Sequence, residues 1–308
     1  MFNKILFVTT GSPNCNNAGK TAFDLAKQHK STLYILNVFG IPGYGESPFV
    51  VDIHTGEEKS SMNQEYVEGV KDGIKTIYAD QLKEVGSAII DCVAGVPHTE
   101  ILRKARKEDV DLIIMGAHTH SEDIGATRYR KMLGSTMERV SKKAGCPVVI
   151  VSRPCTDCFQ SSSNIVLGTD FSKAAYSAFL FAYKVAKTVG CKLYLFHTID
   201  MKDIQVGYYT QEKIENEVEN ACKKIEEIYV PEMKGFDNYE IGACEGIPYV
   251  EILKFARGKS ADLIVLSHHA REIDPEDALI GSTVEQVILR SSCPVASVNR
   301  PDKVAMVD

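Results

Sequence analysis

The predicted fold class is α/β: two tandem doubly wound domains, each a five-stranded parallel sheet flanked by helices. Three features of the chain of 308 residues predict it. The chain repeats itself, each repeat alternates strand-like and helix-like segments, and the strand-like segments are almost uninterruptedly apolar. Gly134-Ser-Thr-Met-Glu-Arg-Val140, Cys146-Pro-Val148 and Arg153-Pro154 return, identically spaced, as Gly281-Ser-Thr-Val-Glu-Gln-Val287, Cys293-Pro-Val295 and Arg300-Pro301. Asp111-Leu-Ile-Ile-Met-Gly116 returns as Asp262-Leu-Ile-Val-Leu-Ser267, and Thr9-Thr-Gly-Ser12 as Thr169-Asp-Phe-Ser172. Gly95-Val-Pro97 with Glu100-Ile-Leu102 returns as Gly246-Ile-Pro248 with Glu251-Ile-Leu253. A self-match in constant order marks an internal duplication, and a period near 150 residues is about the size of one domain. Strand–helix alternation argues for a parallel sheet covered on both faces, which is why its strands need no polar face.

Taken in order, copy one predicts a strand over Lys4–Thr10 and then a helix with Ala18, Ala22 and Ala26 along one face. A strand over Thr32–Val38 follows, and then a Gly/Pro/Ser-rich excursion over Gly40–Ser61. A polar helix over Gln64–Glu84 leads to a strand over Ser87–Ala94. Next come a helix over Thr99–Lys107, a strand over Leu112–Gly116, a helix opening at Gly134-Ser-Thr136, and a last strand over Val148–Ser152. Copy two predicts strands over Asn164–Thr169, Lys192–Thr198, Glu240–Cys244, Leu263–Ser267 and Val295–Asn299. Its helices carry Ala178, Ala182 and Ala186, span Thr210–Glu227 and Val250–Gly258, and open at Gly281-Ser-Thr283. The implied boundaries are residues 1–154 and 164–308, joined by a linker over 155–163 whose Pro and Ser content suits an exposed connector.

A net charge of −6 carries no basic signature, so nucleic acid is not an expected partner. No apolar run approaches the roughly 18 residues of a membrane span. Met1–Val8 lacks the features of a secretory signal, and nine cysteines in such a chain read as reduced thiols, so a cytoplasmic location is expected.

A ligand on a doubly wound sheet sits beyond the carboxyl ends of its strands, at the switch point. That directs attention to the loops after strand one and strand four. In copy one, Gly116 ends strand four, and Gly134-Ser135-Thr136 then opens a helix. Glycine admits close approach of an anion, a helix N-terminus offers unpaired N–H groups, and the hydroxyls add donors. A plain N-cap is the competing explanation for Ser and Thr there.

These residues resemble the universal stress protein family in its tandem form, over nearly the whole chain. The similarity rests on the strand-four glycine and the Gly-Ser-Thr, on the two Cys-Pro-Val strands, and on Thr169-Asp-Phe-Ser172. The resemblance implies a strand order of 3-2-1-4-5 and pairing of domains through strand five, here within one chain. It also implies, in many members, an ATP or other adenine-nucleotide site, taken with Mg. An Asp ending strand one and the residue ending strand two would contact the nucleoside, and the glycine loop with Gly-Ser would hold phosphates. In copy one the matching positions are Thr10, Val38, Gly116, Thr119, Gly134, Ser135 and Thr136. In copy two they are Asp170, Thr198, Ser267, Ala270, Gly281, Ser282 and Thr283. Neither set is complete: Thr10 replaces the Asp and Thr119 a glycine in copy one, while Ser267 and Ala270 replace glycines in copy two. Copy one is thus expected to keep more phosphate-binding capacity and copy two more nucleoside-binding capacity.

Competing signals are weaker. Gly19-Lys20-Thr21 imitates a P-loop, but Asn14 stands where its first glycine belongs. Cys155 and Cys158 have metal or redox spacing; a zinc set would need two more ligands, His118 and His120 or His268 and His269, brought near by the fold, and exposed thiols are the commoner explanation. His118 and His269 align across the copies without a catalytic set around them. Cys146 and Cys293 read as buried apolar residues. Three functions stand: a stress-response regulatory protein answering to nucleotide, a non-nucleotide interaction scaffold, and a slow ATP hydrolase with Glu122 and Asp123 as the nearest carboxylates. The protein partner stays unnamed, and both a monomer and a homodimer are compatible with the chain.

Overall fold

In a computed structural model, the described residues are 1–40, 50–51, 58–59, 64–117, 135–153, 159–200, 210–268 and 282–299. Copy one runs β1 (Lys4–Val8), α1 (Asn16–His29), β2 (Thr32–Gly40), a two-stranded ribbon of β3 (Val50–Val51) and β4 (Glu58–Lys59), α2 (Gln64–Ile77) and α3 (Ala79–Glu84). It continues with β5 (Ala88–Gly95), α4 (Pro97–Glu108), β6 (Leu112–Gly116), α5 (Ser135–Lys143) and β7 (Val148–Val151). Copy two runs β8 (Asn164–Thr169), α6 (Lys173–Val189), β9 (Lys192–Asp200), α7 (Gln211–Tyr229), β10 (Tyr239–Gly246), α8 (Pro248–Gly258), β11 (Leu263–Leu266), α9 (Ser282–Arg290) and β12 (Val295–Ser297).

The two copies form one ten-stranded sheet of order β10-β9-β8-β11-β12-β7-β6-β1-β2-β5. Each half is parallel and has the order 3-2-1-4-5. The halves meet antiparallel at β12 and β7, where Val295 pairs with Ile150, Ala296 with Val149 and Ser297 with Val148. A pseudo-dyad therefore passes through the Val149–Ala296 pair, because the flanking pairs interchange under the repeat.

Side chains alternate between the two faces of the strands, and each face has its own apolar cluster shared by both copies. Ile5, Phe7, Leu33, Ile35 and Val149 pack under α1, α2, α6 and α7. Leu6, Leu36, Ile113, Val148 and Ile150 pack under α4, α5, α8 and α9. The repeated alanines Ala18, Ala22, Ala26, Ala178, Ala182 and Ala186 are all buried, letting α1 and α6 lie close to the sheet.

Several expectations need correction. The helix expected over Gln64–Glu84 is interrupted at Tyr78, whose backbone leaves helical geometry (φ −107°, ψ 23°) while its ring is buried. The strands β2 and β9 run two residues further than periodicity suggested, to Gly40 and Asp200. β1 stops at Val8, short of Thr10, since Thr9 begins a tight turn. The linker is not simply exposed. Phe159 is buried at 1% exposure, its ring lies 6.4 Å from that of Phe2, and Gln28 Nε2 donates to its carbonyl at 3.1 Å. An aromatic residue there secures copy two's entrance to copy one's first strand. Cys155 and Cys158 lie outside the described residues. The P-loop imitation is closed off as expected: Gly19, Lys20 and Thr21 sit inside α1, with Lys20 exposed.

Candidate functional site

Each copy brings the ends of strands one, two and four together. In copy one Val8 pairs with Leu36 and Met115, so Thr10 stands beside Val38 and near Gly116. In copy two Thr169 pairs with His197, which sets Asp170 beside Thr198.

The turn after strand one is built the same way twice. Thr9 Oγ1 accepts from Gly11 N at 3.0 Å and meets Tyr78 Oη at 3.1 Å, while Asn37 Nδ2 donates to Thr9 O at 2.9 Å. Thr169 Oγ1 accepts from Phe171 N at 3.1 Å and meets Tyr229 Oη at 2.5 Å, while His197 Nδ1 lies 2.7 Å from Thr169 O. The contact to a carbonyl makes Nδ1 the protonated nitrogen of His197. Burial pushes both phenols' pKa up and that of His197 down, keeping all three neutral. A Thr169→Val substitution should leave the Phe171 N–H without its acceptor and the Tyr229 hydroxyl without its partner, and cost about 1–3 kcal/mol, read as a lower urea midpoint.

Both turns enter the left-handed region, Gly11 at φ 76° and Phe171 at φ 63°. Glycine does so freely, whereas a bulky residue is strained there. Packing holds Phe171 in place: its ring lies 4.5 Å from that of His197, and Lys224 Nζ stands 4.3 Å above its centroid.

The copies then diverge. Thr10 Oγ1 contacts Ser12 Oγ at 2.9 Å, closing that hydroxyl within its own turn. Asp170 Oδ1 accepts from Ser172 N at 3.0 Å, and Ser172 Oγ caps α6 by accepting from Ala175 N at 3.1 Å. Asp170 is exposed at the sheet's carboxyl edge. Beside it Thr198 is 8% exposed, and its Oγ1 meets no nitrogen or oxygen partner, only the weakly bonding thiol of Cys244. Val38 is half-buried and apolar.

At the end of strand four, a Cβ on Gly116 would lie 3.2 Å from Asn14 O. Close approach of the chain before α1 is thus a packing reason for this glycine, and Gly116 has no positive φ. A side chain is therefore compatible with the backbone of Ser267, which occupies the equivalent place half-buried. Ser135 and Thr136 open α5, Ser282 and Thr283 open α9, and the helix dipole favours an anion at both. Thr119, Gly134, Ala270 and Gly281 lie outside the described residues, as do His118, His269, Glu122 and Asp123. Among the described residues no group of three or more His, Cys, Asp or Glu side chains could hold a metal ion. Cys146 and Cys293 are buried as expected, and burial pushes the Cys293 thiol up to about 11.

One polar group has a setting that its candidacy as a metal ligand did not suggest. His268, just past β11, is 7% exposed. Its Nε2 lies 2.8 Å from Ser297 Oγ, its N–H donates to Asn299 Oδ1 at 3.1 Å, and its Nδ1 has no partner. Burial is the main cause lowering its pKa to about 4; Lys142 lowers it further and Glu138 opposes. The available signal was the mismatch of His268 with Ala117 in the other copy.

Comparison with known proteins agrees with this architecture. Universal stress protein MJ0531 of Methanocaldococcus jannaschii is 29% identical over 161 residues, covering 50% of this chain and 84% of the relative. Universal stress protein MJ0577 of the same organism is 36% identical over 118 residues, covering 38% of this chain and 64% of the relative. A universal stress protein from Archaeoglobus fulgidus has a crystal structure that aligns with 97% of this chain and 98% of its own, with a TM-score of 0.68 and 22% identity, a likeness of fold. The model of the universal stress protein family matches twice, at residues 1–152 and 162–299, and the chain belongs to that family as a tandem pair of its domains.

Proposed function

We infer that this chain is a regulatory protein of the stress response whose state depends on an adenine nucleotide bound at a switch point. The observation that carries the reading is the pairing, on adjacent strand ends of copy two, of an exposed carboxylate with a buried hydroxyl whose one neighbouring polar group is the Cys244 thiol. Asp170 and Thr198 are the positions that the family resemblance assigns to nucleoside contact. A carboxylate accepts from ribose hydroxyls, and a buried hydroxyl beside only a weakly bonding thiol gains from a stronger polar partner that reaches it. Phosphates would take the N-terminus of α9, with Ser282 and Thr283, or that of α5, with Ser135 and Thr136. Gly116, Gly134 and Thr119 would line the copy-one loop, and Ser267, Ala270 and Gly281 the copy-two loop. Mg would accompany the phosphates as part of the ligand.

A second reading, an interaction scaffold without nucleotide, is favoured in copy one by the Thr10 hydroxyl bound within its own turn and by apolar Val38. Mg-ATP at 100 times its dissociation constant should stabilise the protein by about 2.7 kcal/mol, seen as a rise in melting temperature. No rise at millimolar Mg-ATP would favour the scaffold. Slow ATP hydrolysis is the weakest reading, because no observation assigns a base to it.

A further inference from the structure

The sheet register sets the ends of strands three, two and one side by side at the carboxyl edge, and the row they form differs between the copies. In copy two Cys244 pairs with Thr198, which stands beside Asp170. In copy one Val93 pairs with Val38, which stands beside Thr10. A thiol, a hydroxyl and a carboxylate therefore replace two valines and a threonine. Cys244, Val38 and Val93 pack on the sheet face covered by α4, α5, α8 and α9, and the Thr198 hydroxyl meets the Cys244 thiol. Polar groups buried at a strand end cost stability unless partners replace the water they lose. Thr198, 8% exposed, finds no nitrogen or oxygen partner, and a thiol is only a weak donor and acceptor. The pair thus holds hydrogen-bonding capacity that the fold does not use. Burial, with Glu251 and Glu245 adding to it, pushes the Cys244 thiol up to about 11, so it keeps its proton at neutral pH. Cys244 is only half-buried.

The strand order decides which part of a nucleotide meets this pair. β8 lies between β11 on one side and β9 and then β10 on the other. α9, which follows β11, packs on the same face as Cys244. A nucleotide with its phosphates at the opening of α9 and its ribose at Asp170 therefore extends its base over β9 and β10. Cys244 stands two strand spacings, about 10 Å, from strand one. We propose that Cys244 is a further residue of the copy-two site, closing it at the base end and offering, with Thr198, a side-chain hydrogen bond to the edge of the base. The proposal rests on the nucleotide reading and adds to it the residue that meets the part of the ligand farthest from the phosphates.

The test follows alkylation of Cys244 by N-ethylmaleimide in the full chain, read by peptide mass spectrometry at fixed pH, with Mg-ATP binding measured in parallel by calorimetry. Cys222 is the internal control, a half-buried thiol on α7, which packs on the opposite face. Mg-ATP at 100 times its dissociation constant leaves about 1% of sites empty, so labelling of Cys244 should slow by at least about tenfold while that of Cys222 stays within about twofold. Cys244→Val, which carries the residue of copy one, should weaken Mg-ATP about three- to tenfold, the size of one lost hydrogen bond. Bound Mg-ATP with Cys244 labelled at an unchanged rate overturns the proposal and leaves the nucleotide reading standing. Unchanged affinity of a folded Cys244→Val protein overturns it as well. Absence of any Mg-ATP binding by the wild-type chain overturns the nucleotide reading and this proposal together.

Discussion

Acidification from pH 7 to pH 4 is expected to cost the fold about 3 kcal/mol through His268 alone. The folded pKa is lowered to about 4, whereas the unfolded histidine titrates near its ordinary value of 6.5. Between these values the unfolded chain takes up a proton and the folded one does not. Stability is therefore constant, in this contribution, above about pH 6.5, falls as the pH drops through the window, and levels off below about 4. Burial beside Lys142 opposes the charge, and Glu138 offsets only part of it. Urea titrations across this window should show a steeper acid loss for the wild type than for His268→Ala, which carries the residue that copy one uses at this place. Equal slopes would mean that His268 titrates normally. Other groups contribute to acid unfolding in both proteins, so the difference between them is the readout.

The second large effect concerns the ligand. Asp170→Ala should weaken Mg-ATP about ten- to a hundredfold, the size of a lost hydrogen bond to a charged group, as measured by isothermal titration calorimetry. Thr10→Ala, in the equivalent turn of copy one, should leave affinity within about twofold. The contrast follows from the two turns. Asp170 is an exposed carboxylate beside the buried Thr198 hydroxyl, whereas Thr10 carries no charge and stands beside apolar Val38. Equal effects of the two substitutions would contradict the assignment of nucleoside binding to copy two.

Much of the fold was legible because its determinants are local or repeated. The alanine rows announced α1 and α6, and the apolar runs located the ten sheet strands to within two residues. The break at Tyr78 was not legible, since it depends on a hydroxyl contact to Thr9 across the fold. Phe159 looked like linker because its burial depends on Phe2, far away in the chain. In the site, the juxtaposition of Asp170 with Thr198 followed from the resemblance, but the burial of the Thr198 hydroxyl beside only the Cys244 thiol required coordinates. Gly116 shows the reverse case: a glycine that suggests a phosphate loop also has a packing role against Asn14. His268 was legible only as a spare ligand for the Cys155–Cys158 pair; its burial against Ser297 and Asn299 depends on the neighbouring strand end and makes no pattern in the sequence.

Whether the tandem pair responds to adenine nucleotide is tested by denaturing the purified protein and resolving the released small molecules by ion exchange. Near-stoichiometric ATP or ADP, lost in Asp170→Ala, is the predicted result. A supernatant without nucleotide, from protein that Mg-ATP also fails to stabilise, would contradict the claim and leave the scaffold reading in its place.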